Sequence, residues 1–140
     1  MAIGLSLRGR SAACDAIVNL VDQGSLNNNG YIGIFTAPRP TTPEVPINSS
    51  VRLVTIPLSN PSFGSAENGI ATALGLTTSG ITVDNSGTAS WFRVFDRDNN
   101  PIWDGAITLT DGGGDMQLND LSFLSGGKIV ITKFRAVMPL

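Results

Sequence analysis

The sequence contains no histidine and only one cysteine, Cys14. Histidine is the commonest general base in enzymes, and both residue types are the usual ligands of zinc. Their near absence argues against a histidine-based triad and against a zinc or haem site. A single cysteine also excludes a disulfide within the chain. Cys14 lies among alanines on a predicted helix, where it is expected to be a small buried hydrophobic residue. The chain is therefore predicted not to be an enzyme, and to hold no metal and no cofactor.

Charged residues are also scarce: they make up 14% of the chain, against a usual value of about 25%. The net charge is −2, and the few basic residues are scattered, which argues against a nucleic-acid partner. No apolar run approaches the ~18 residues of a membrane-spanning helix, so no membrane partner is expected. The first residues lack a charged segment ahead of their apolar positions, so no signal peptide is predicted. Synthesis in the cytosol is the expectation that follows.

The stretch around which the rest is organised is residues 87–109, which predicts two long strands joined by a tight polar turn, DRDNNP. On the first strand Phe92 and Val94 are predicted to face one side, and Trp91 and Arg93 the other. The aromatic and β-branched content suits a half-buried surface. Both tryptophans and two of the six phenylalanines fall in this stretch. The hairpin is therefore the predicted nucleus of the core.

One helix is predicted, over residues 11–23, because apolar residues recur there at helical spacing. Ser11 is the predicted N-cap, and Gly24 is the residue predicted to end the helix. Residues 1–7 alternate apolar and small residues, which predicts a short strand or an extended N-terminal arm. Residues 37–48 contain four prolines, so no strand is expected there and the segment is predicted to be an extended surface loop.

The other strands are predicted at residues 31–36, 51–58, 69–78, 81–83, 116–118, 121–124 and 128–138. The alanines and leucines of residues 69–78 also fit a helix, but its glycines and threonines favour a strand. Roughly eight to ten strands with frequent turns and one early helix are typical of an antiparallel sandwich or barrel. The predicted fold is all-β: a single antiparallel β-sandwich or jelly-roll-like domain over residues 1–140, with one short N-terminal α-helix.

The turn of the central hairpin partly matches a calcium-binding loop. Asp96, Asp98 and Asn100 stand where the first three ligands of such a loop would be. The match then fails, because Pro101 replaces the required glycine and Ile107 replaces the final glutamate. A polar hairpin turn is therefore the favoured interpretation.

Other candidate groups have ordinary roles as their first interpretation. Residues 112–114 are glycines without the lysine and hydroxyl residue of a phosphate loop, so a flexible loop is predicted. Arg93 is expected either to stack on Trp91 or to lie at the rim of a subunit contact. Trp91 and Trp103 are predicted to be core residues; the alternative is a sugar-binding surface in which Asp104 binds hydroxyl groups. Solvated turn residues, rather than glycosidase acids, are expected at four aspartates: Asp104, Asp111, Asp115 and Asp120.

Four segments, in order along nearly the whole chain, resemble a family of small virion proteins of tailed bacteriophages. They are RSAACDAIVNLVDQGS, NPSFGSAENGIATA, GTASWFRVFDRDNNPIWDG and GGKIVITKFRAVMP. The tryptophan–phenylalanine–arginine hairpin is the strongest of the four. Asn99 and Asn100 replace the Asp-Gly type of turn associated with the family, and the proline-rich residues 37–48 are where this chain is expected to differ. The resemblance implies a structural role in the virus particle and carries over no catalytic residue.

Within that role, the resemblance implies a cement or decoration protein that stabilises the capsid shell by binding the major capsid protein or other virion proteins. A homo-oligomer, with a trimer as the first expectation, and a location in the virion follow. Two alternatives stay open: a structural component of the tail, neck or baseplate, and a carbohydrate-binding module associated with a fibre.

The contacts between subunits are predicted to lie in residues 1–6 and 38–46, because neither segment is expected to fold on itself. The candidate interface residues are Ile3, Leu5, Pro38, Arg39, Pro40, Pro43 and Pro46.

Overall fold

A computed structural model describes residues 3–47, 49–76 and 80–138 of the chain. Within these ranges one α-helix is followed by eleven β-strands, most of them in one large sheet. The predicted fold class, an all-β sandwich-like fold with one short N-terminal helix, is confirmed.

The helix, α1, spans Leu7–Leu20. The strands are β1 Tyr31–Phe35, β2 Arg52–Pro57, β3 Ile70–Thr72, β4 Ile81–Thr82, β5 Gly87–Thr88, β6 Trp91–Phe95, β7 Pro101–Leu109, β8 Met116–Leu118, β9 Ser122–Phe123, β10 Lys128–Ile129 and β11 Ile131–Val137. Seven of them form a sheet in the order β2-β1-β6-β7-β8-β11-β3, while β10 pairs with β4 and β5 pairs with β9.

Most predicted strands match the observed ones to within one or two residues at each end. Two predicted strands are divided. Residues 87–88 pair with β9 instead of continuing into β6, and residues 128–138 separate into β10 and β11. The second division falls at Val130, whose N–H bonds to the Asn119 side chain rather than to a neighbouring strand. The segment 69–78 forms a strand, as favoured, over 70–72; Thr77 and Thr78 lie outside the described residues.

The helix begins four residues earlier than predicted. Its N-cap is Ser6, whose hydroxyl oxygen accepts a hydrogen bond from the Gly9 N–H at 3.0 Å. Ser11, the predicted cap, lies inside the helix, and its hydroxyl accepts from the Gly69 N–H instead. The last helical residue is Leu20, so Gly24, at a φ of 122°, stands in the loop beyond it. The sequence offers both Ser6 and Ser11 as caps, and Gly9 lowers the helix propensity of the true first turn, so the helix was predicted to begin at the later serine.

The N-terminal residues do not form a strand. Residues 3–6 are an arm without regular structure, and Leu7 already belongs to the helix. The predicted alternative of a strand over 1–7 is therefore wrong for the described part, while Met1 and Ala2 lie outside it.

The helix packs against β3 and β11 and buries Cys14 and Val18. Cys14 is buried in the core cluster, as predicted for a small hydrophobic residue. The apolar side of the sheet, the helix and the smaller sheets enclose this cluster, whose largest side chains include Phe92, Phe134 and Met116.

One strand pair departs from the predicted antiparallel pattern. β7 and β8 run parallel, although only residues 110–115 connect them. Parallel neighbours usually need a connection of about a dozen residues or more. The glycines make the short return possible: a Cβ on Gly112 would lie 2.7 Å from the Cβ of Thr108, and one on Gly114 would lie 3.0 Å from the Thr108 nitrogen. The glycine run is therefore a tight turn, a role that sequence analysis missed.

Candidate functional site

The strand β6 is covered on both faces. Phe92 and Val94 face the core cluster, while Trp91 and Arg93, on the opposite face as predicted, are buried as well. The prediction of a half-buried strand is wrong because Phe35 and the carbonyls of Thr42 and Val45 cover the second face of β6. On its second face Trp91 stacks on Phe35 at a centroid distance of 4.6 Å.

An ion pair lies buried on this second face. Arg93 of β6 and Asp104 of β7 are directly opposite each other in the sheet. Arg93 Nε donates to Asp104 Oδ1 at 2.6 Å, and Arg93 Nη2 donates to Oδ2 at 2.9 Å. The two side chains are only 4% and 2% exposed. Asp104 is therefore not the solvated turn residue that was expected.

The Arg93 guanidinium also lies over the ring of Trp91, 5.3 Å from its centroid. Of the two roles expected for Arg93, stacking on Trp91 is the one the structure shows. A rim position does not fit, because Arg93 is already buried within its own chain.

The proline-rich loop, described over residues 37–47, folds over this ion pair. Arg93 Nη1 donates to the carbonyl of Val45 at 3.1 Å, and Nη2 donates to the carbonyl of Thr42 at 3.4 Å. From the loop, Arg39 Nη2 donates to the backbone carbonyl of Asp104 at 3.4 Å. The segment 38–46 was expected not to fold on itself; it packs instead on the rest of its own domain. Proline removes N–H donors, but its segment keeps carbonyl acceptors, and a buried guanidinium supplies the donors.

The structure separates the predicted interface residues by exposure. Ile3 and Leu5 of the arm are 82% and 45% exposed. In the loop, Pro38, Arg39 and Pro46 are exposed. Pro40 and Pro43 are half-buried. A shallow hollow of about 130 Å³ brings together Pro38, Arg39, Pro40 and Pro46, whereas the arm lies at the start of the helix. Their role in subunit contacts stays a prediction.

A second, deeper hollow lies between the helix and the sheet, and we call it the helix–sheet cavity. Its volume is about 310 Å³. The lining residues are Cys14 and Ile17 of α1, Trp103 and Asp104 of β7, Asp115, and Arg135, Ala136, Val137 and Met138 at the end of the chain. Cavities of this size with mostly apolar walls and few polar groups are the usual form of binding sites in proteins.

The polar groups of the helix–sheet cavity are few. The Nε atom of Arg135 is buried and has no hydrogen-bond partner among the described residues. Partial burial raises the pKa of the Asp115 carboxyl, while Arg135 and Arg39 act against this rise. Burial also raises the pKa of the Cys14 thiol. Cys14 Sγ lies 3.5 Å from the Ala136 carbonyl as a weak donor, so at neutral pH it is a thiol and a poor nucleophile.

The two tryptophans have different surroundings. Trp91 is buried, and its Nε1 donates to the Thr36 carbonyl at 2.9 Å, which confirms its predicted core role. Trp103 is half-buried: it packs against Phe63 and also lines the helix–sheet cavity. Asp104 lines the same cavity, but its carboxylate is used by Arg93.

The hairpin turn uses its carboxylates for its own structure, as predicted for a polar turn. Asp96 Oδ1 accepts from the N–H groups of Asp98 and Asn100, both at 2.9 Å. Asn99 has a φ of 68°, a left-handed conformation that asparagine tolerates. The Asp98 carboxylate accepts from the N–H groups of the helix–β1 loop, at Ser25 and Leu26.

This contact between loops predicts a pH dependence. The two backbone donors at Ser25 and Leu26 hold the pKa of Asp98 below its ordinary value. A carboxyl whose pKa is lower in the folded state stabilises the fold above its unfolded pKa, near 3.9. That stability is lost as the pH falls from about 4 through the folded pKa. The measurement is the urea midpoint of unfolding as a function of pH, which should fall in this acid range for the wild type. Asp98→Asn should make that fall shallower, whereas the matched control Asp84→Asn, at an exposed aspartate, should leave it unchanged.

The remaining carboxylates do not gather into a metal site among the residues described. Within residues 3–47, 49–76 and 80–138, no group of three or more histidine, cysteine, aspartate and glutamate side chains is placed to hold an ion. No helix in the described part of the chain is long and apolar enough to span a membrane. Features of the described residues with room for a partner include the exposed arm, the proline-rich loop and the helix–sheet cavity. Comparison with protein-family models, curated proteins and solved structures finds no match to this chain.

Proposed function

We propose that this chain is a structural protein of a tailed-bacteriophage particle, a cement or decoration protein that binds the major capsid protein or other virion proteins. The observation that carries the proposal is the exposed apolar surface at the N-terminal end, formed by Ile3, Leu5 and Leu7. Adjacent aliphatic side chains that remain in water mark a surface for another protein. The resemblance of four sequence segments to phage virion proteins gives that partner its class.

The low charge of the chain supports the same proposal. Few charged side chains need to be desolvated when such a surface is covered, and the mostly apolar arm is well suited to a permanent contact. In this proposal the protein is not an enzyme, and it acts in the virion as a homo-oligomer, with a trimer as the expected form.

A position in the tail, neck or baseplate is the nearest alternative, because the same exposed arm would serve there. Images of purified particles that carry a label at the C-terminus of this protein distinguish the two positions. Label spread over the shell supports the cement proposal, and label confined to the tail or its base supports the alternative.

The carbohydrate-binding alternative has one observation in its favour, the half-buried indole of Trp103 at the helix–sheet cavity. Trp91, by contrast, is buried and hydrogen-bonded inside the chain. A glycan that shields Trp103 fluorescence from a solvent quencher, in a Trp91→Phe variant, would favour this alternative over shell binding.

The arm provides the direct test of shell binding. We expect the double replacement Ile3→Asp and Leu5→Asp to weaken binding to particles by a hundredfold or more, since each buried aliphatic side chain contributes about 1.5–3 kcal/mol. The measurement is the occupancy of purified particles that lack this protein, after incubation with each variant and sedimentation. Ser6 is retained, because it caps the helix.

Leu124→Asp is the matched control: Leu124 is 70% exposed in the turn between β9 and β10. Its occupancy should equal that of the wild type. Unchanged occupancy of the arm variant, or an equal loss in both variants, would contradict the proposal. Removing residues 38–46 is not a clean test, because that deletion also uncovers the buried Arg93.

A further inference from the structure

We infer that the arm, residues 3–6, docks into the helix–sheet cavity of a neighbouring copy of this chain. The inference deepens the proposed function and rests on it for the biological setting. It assigns Ile3 and Leu5 to the contact that joins copies of the protein, so the loss of shell binding expected for the arm variant would follow from loss of the assembled ring.

The arm is a short segment that presents two large apolar side chains. In an extended segment, residues two apart point to the same side, so Ile3 and Leu5 present their side chains together. Both side chains are exposed in the isolated chain. Gly4 between them has no side chain, and nothing lies within 4 Å of the position of its absent Cβ. The backbone of the arm is therefore free to approach a wall closely.

The helix–sheet cavity offers the matching surface. Its volume of about 310 Å³ has room for aliphatic side chains, and its walls include Ile17, Trp103 and Met138. Burying aliphatic side chains here removes apolar surface of both the arm and the cavity from water.

The cavity also contains a donor that lacks an acceptor. Arg135 Nε is buried without a hydrogen-bond partner among the described residues. A buried polar atom left unpaired costs about 1–3 kcal/mol. An extended arm carries free backbone carbonyls, and a carbonyl beside Gly4 would accept this hydrogen bond. One docked segment would then cover the apolar walls and also supply an acceptor to Arg135 Nε.

The arm of the same chain is too short to reach the whole cavity. Ile17 lies about 16 Å from Ser6 along the helix, at a rise of about 1.5 Å per residue. The three residues from Ser6 back to Ile3 span at most about 10–11 Å when fully extended. An arm that folded back on its own helix would stop about one turn short of Ile17. A neighbouring copy has no such limit.

A contact of an arm with a cavity joins two different surfaces. Repeated from copy to copy, such a contact closes into a ring when the rotation allows it. A trimeric ring agrees with the expected oligomer, and a reciprocal exchange of arms would give a dimer. Either assembly contains the same arm-to-cavity contact.

Mixing two chains that each carry one cysteine tests the inference. The wild-type chain carries only Cys14, which lines the cavity. The second chain combines Ile3→Cys with Cys14→Ala. Under mild oxidation of the mixed full-length proteins, we expect a disulfide-linked product whose linked peptide joins position 3 of one chain to Cys14 of the other. Since neither chain holds both thiols, this link forms only between copies.

Cys14 is buried, so a more accessible partner keeps the test decisive. Val137 also lines the cavity and is exposed, and Val137→Cys in a Cys14→Ala background replaces the wild-type chain in a second mixture. The matched control chain carries Leu124→Cys and Cys14→Ala. It should give no specific link to either cavity cysteine. A linked peptide from position 3 to position 14 or 137 supports the inference; its absence from both mixtures overturns it.

The outcomes separate this inference from the proposed function. If no link forms but the wild-type protein still coats particles, only the arm-to-cavity contact is wrong. If the link forms in purified protein that does not bind particles, the contact stands and the cement role is wrong.

Discussion

Replacing Asp104 with asparagine is expected to lower the free energy of unfolding by about 3–5 kcal/mol, because it leaves a buried guanidinium without its countercharge. The two side chains form a bidentate pair with distances of 2.6 and 2.9 Å. Arg93 cannot turn toward water, since it is covered by the proline-rich loop and by the ring of Trp91. The measurement is urea unfolding followed by tryptophan fluorescence, to which Trp91 should report directly.

Two further variants show whether the unpaired charge causes that loss of unfolding free energy. Replacing both partners, Arg93→Met with Asp104→Leu, should recover much of the stability, because no charge is then left buried. Recovery should be incomplete, since the loop loses the two hydrogen bonds from Arg93 to Thr42 and Val45. Asp84→Asn removes an exposed carboxylate and should change stability by less than about 0.5 kcal/mol. A loss at Asp104 as small as that of this control would show that the pair is not buried in solution.

The same pair shows how far the sequence could predict this site. The hairpin was predicted from its aromatic strands and its turn residues, and both are local signals. The partner of Arg93 does not follow from the turn alone. The Asp96 N–H bonds to the Asn100 carbonyl and Phe95 pairs with Pro101, but the register then shifts by one residue between Val94 and Phe95. This shift, which places Asp104 rather than Trp103 opposite Arg93, could not be counted from the sequence. Asp104 was interpreted as a solvated turn residue, because it follows the asparagine-rich turn of the hairpin.

The proline-rich loop shows what the sequence could not predict. Its prolines correctly excluded a strand, because they remove backbone donors. They carry no information on where the carbonyls of Thr42 and Val45 find donors. That depends on Arg93, about 50 residues further along the chain, whose burial is itself a result of the sheet order. The helix–sheet cavity is equally non-local, since Cys14, Trp103 and Arg135 meet there only after folding.

The helix is an intermediate case. Its existence follows from the recurrence of apolar residues at helical spacing. Its buried face follows only in part, because Cys14 and Val18 are buried whereas Leu20, also at that spacing, is 47% exposed. Its first residue does not follow, because two serines, Ser6 and Ser11, are both suitable caps. The choice is made by tertiary contact: Ser11 bonds to Gly69 beside β3, which leaves Ser6 to cap the first turn.

The other large effect is expected at Gly105, where alanine should lower the free energy of unfolding by about 3 kcal/mol, at the upper end of the range for overpacked cores. Gly105 faces Phe92 across the β6–β7 pair. An added Cβ would lie 2.3 Å from Phe92 Cζ and 2.5 Å from Cε1. The Phe92 ring is fully buried and packs edge-on against Phe134 at 5.3 Å, so it has little room to move away.

A double-mutant cycle shows whether this clash is the cause. Phe92→Leu alone should also be destabilising, because it leaves a void beside Phe134. Combined with Gly105→Ala, the smaller side chain makes room for the new methyl group. The free energy of unfolding lost in the double variant should therefore be about 1–3 kcal/mol smaller than the sum of the two single losses. Gly64→Ala is the matched control, since its Cβ would meet no atom closer than 3.8 Å. If the two losses at Gly105 and Phe92 simply add, the missing Cβ of Gly105 is not what lets the Phe92 ring close the core against Phe134.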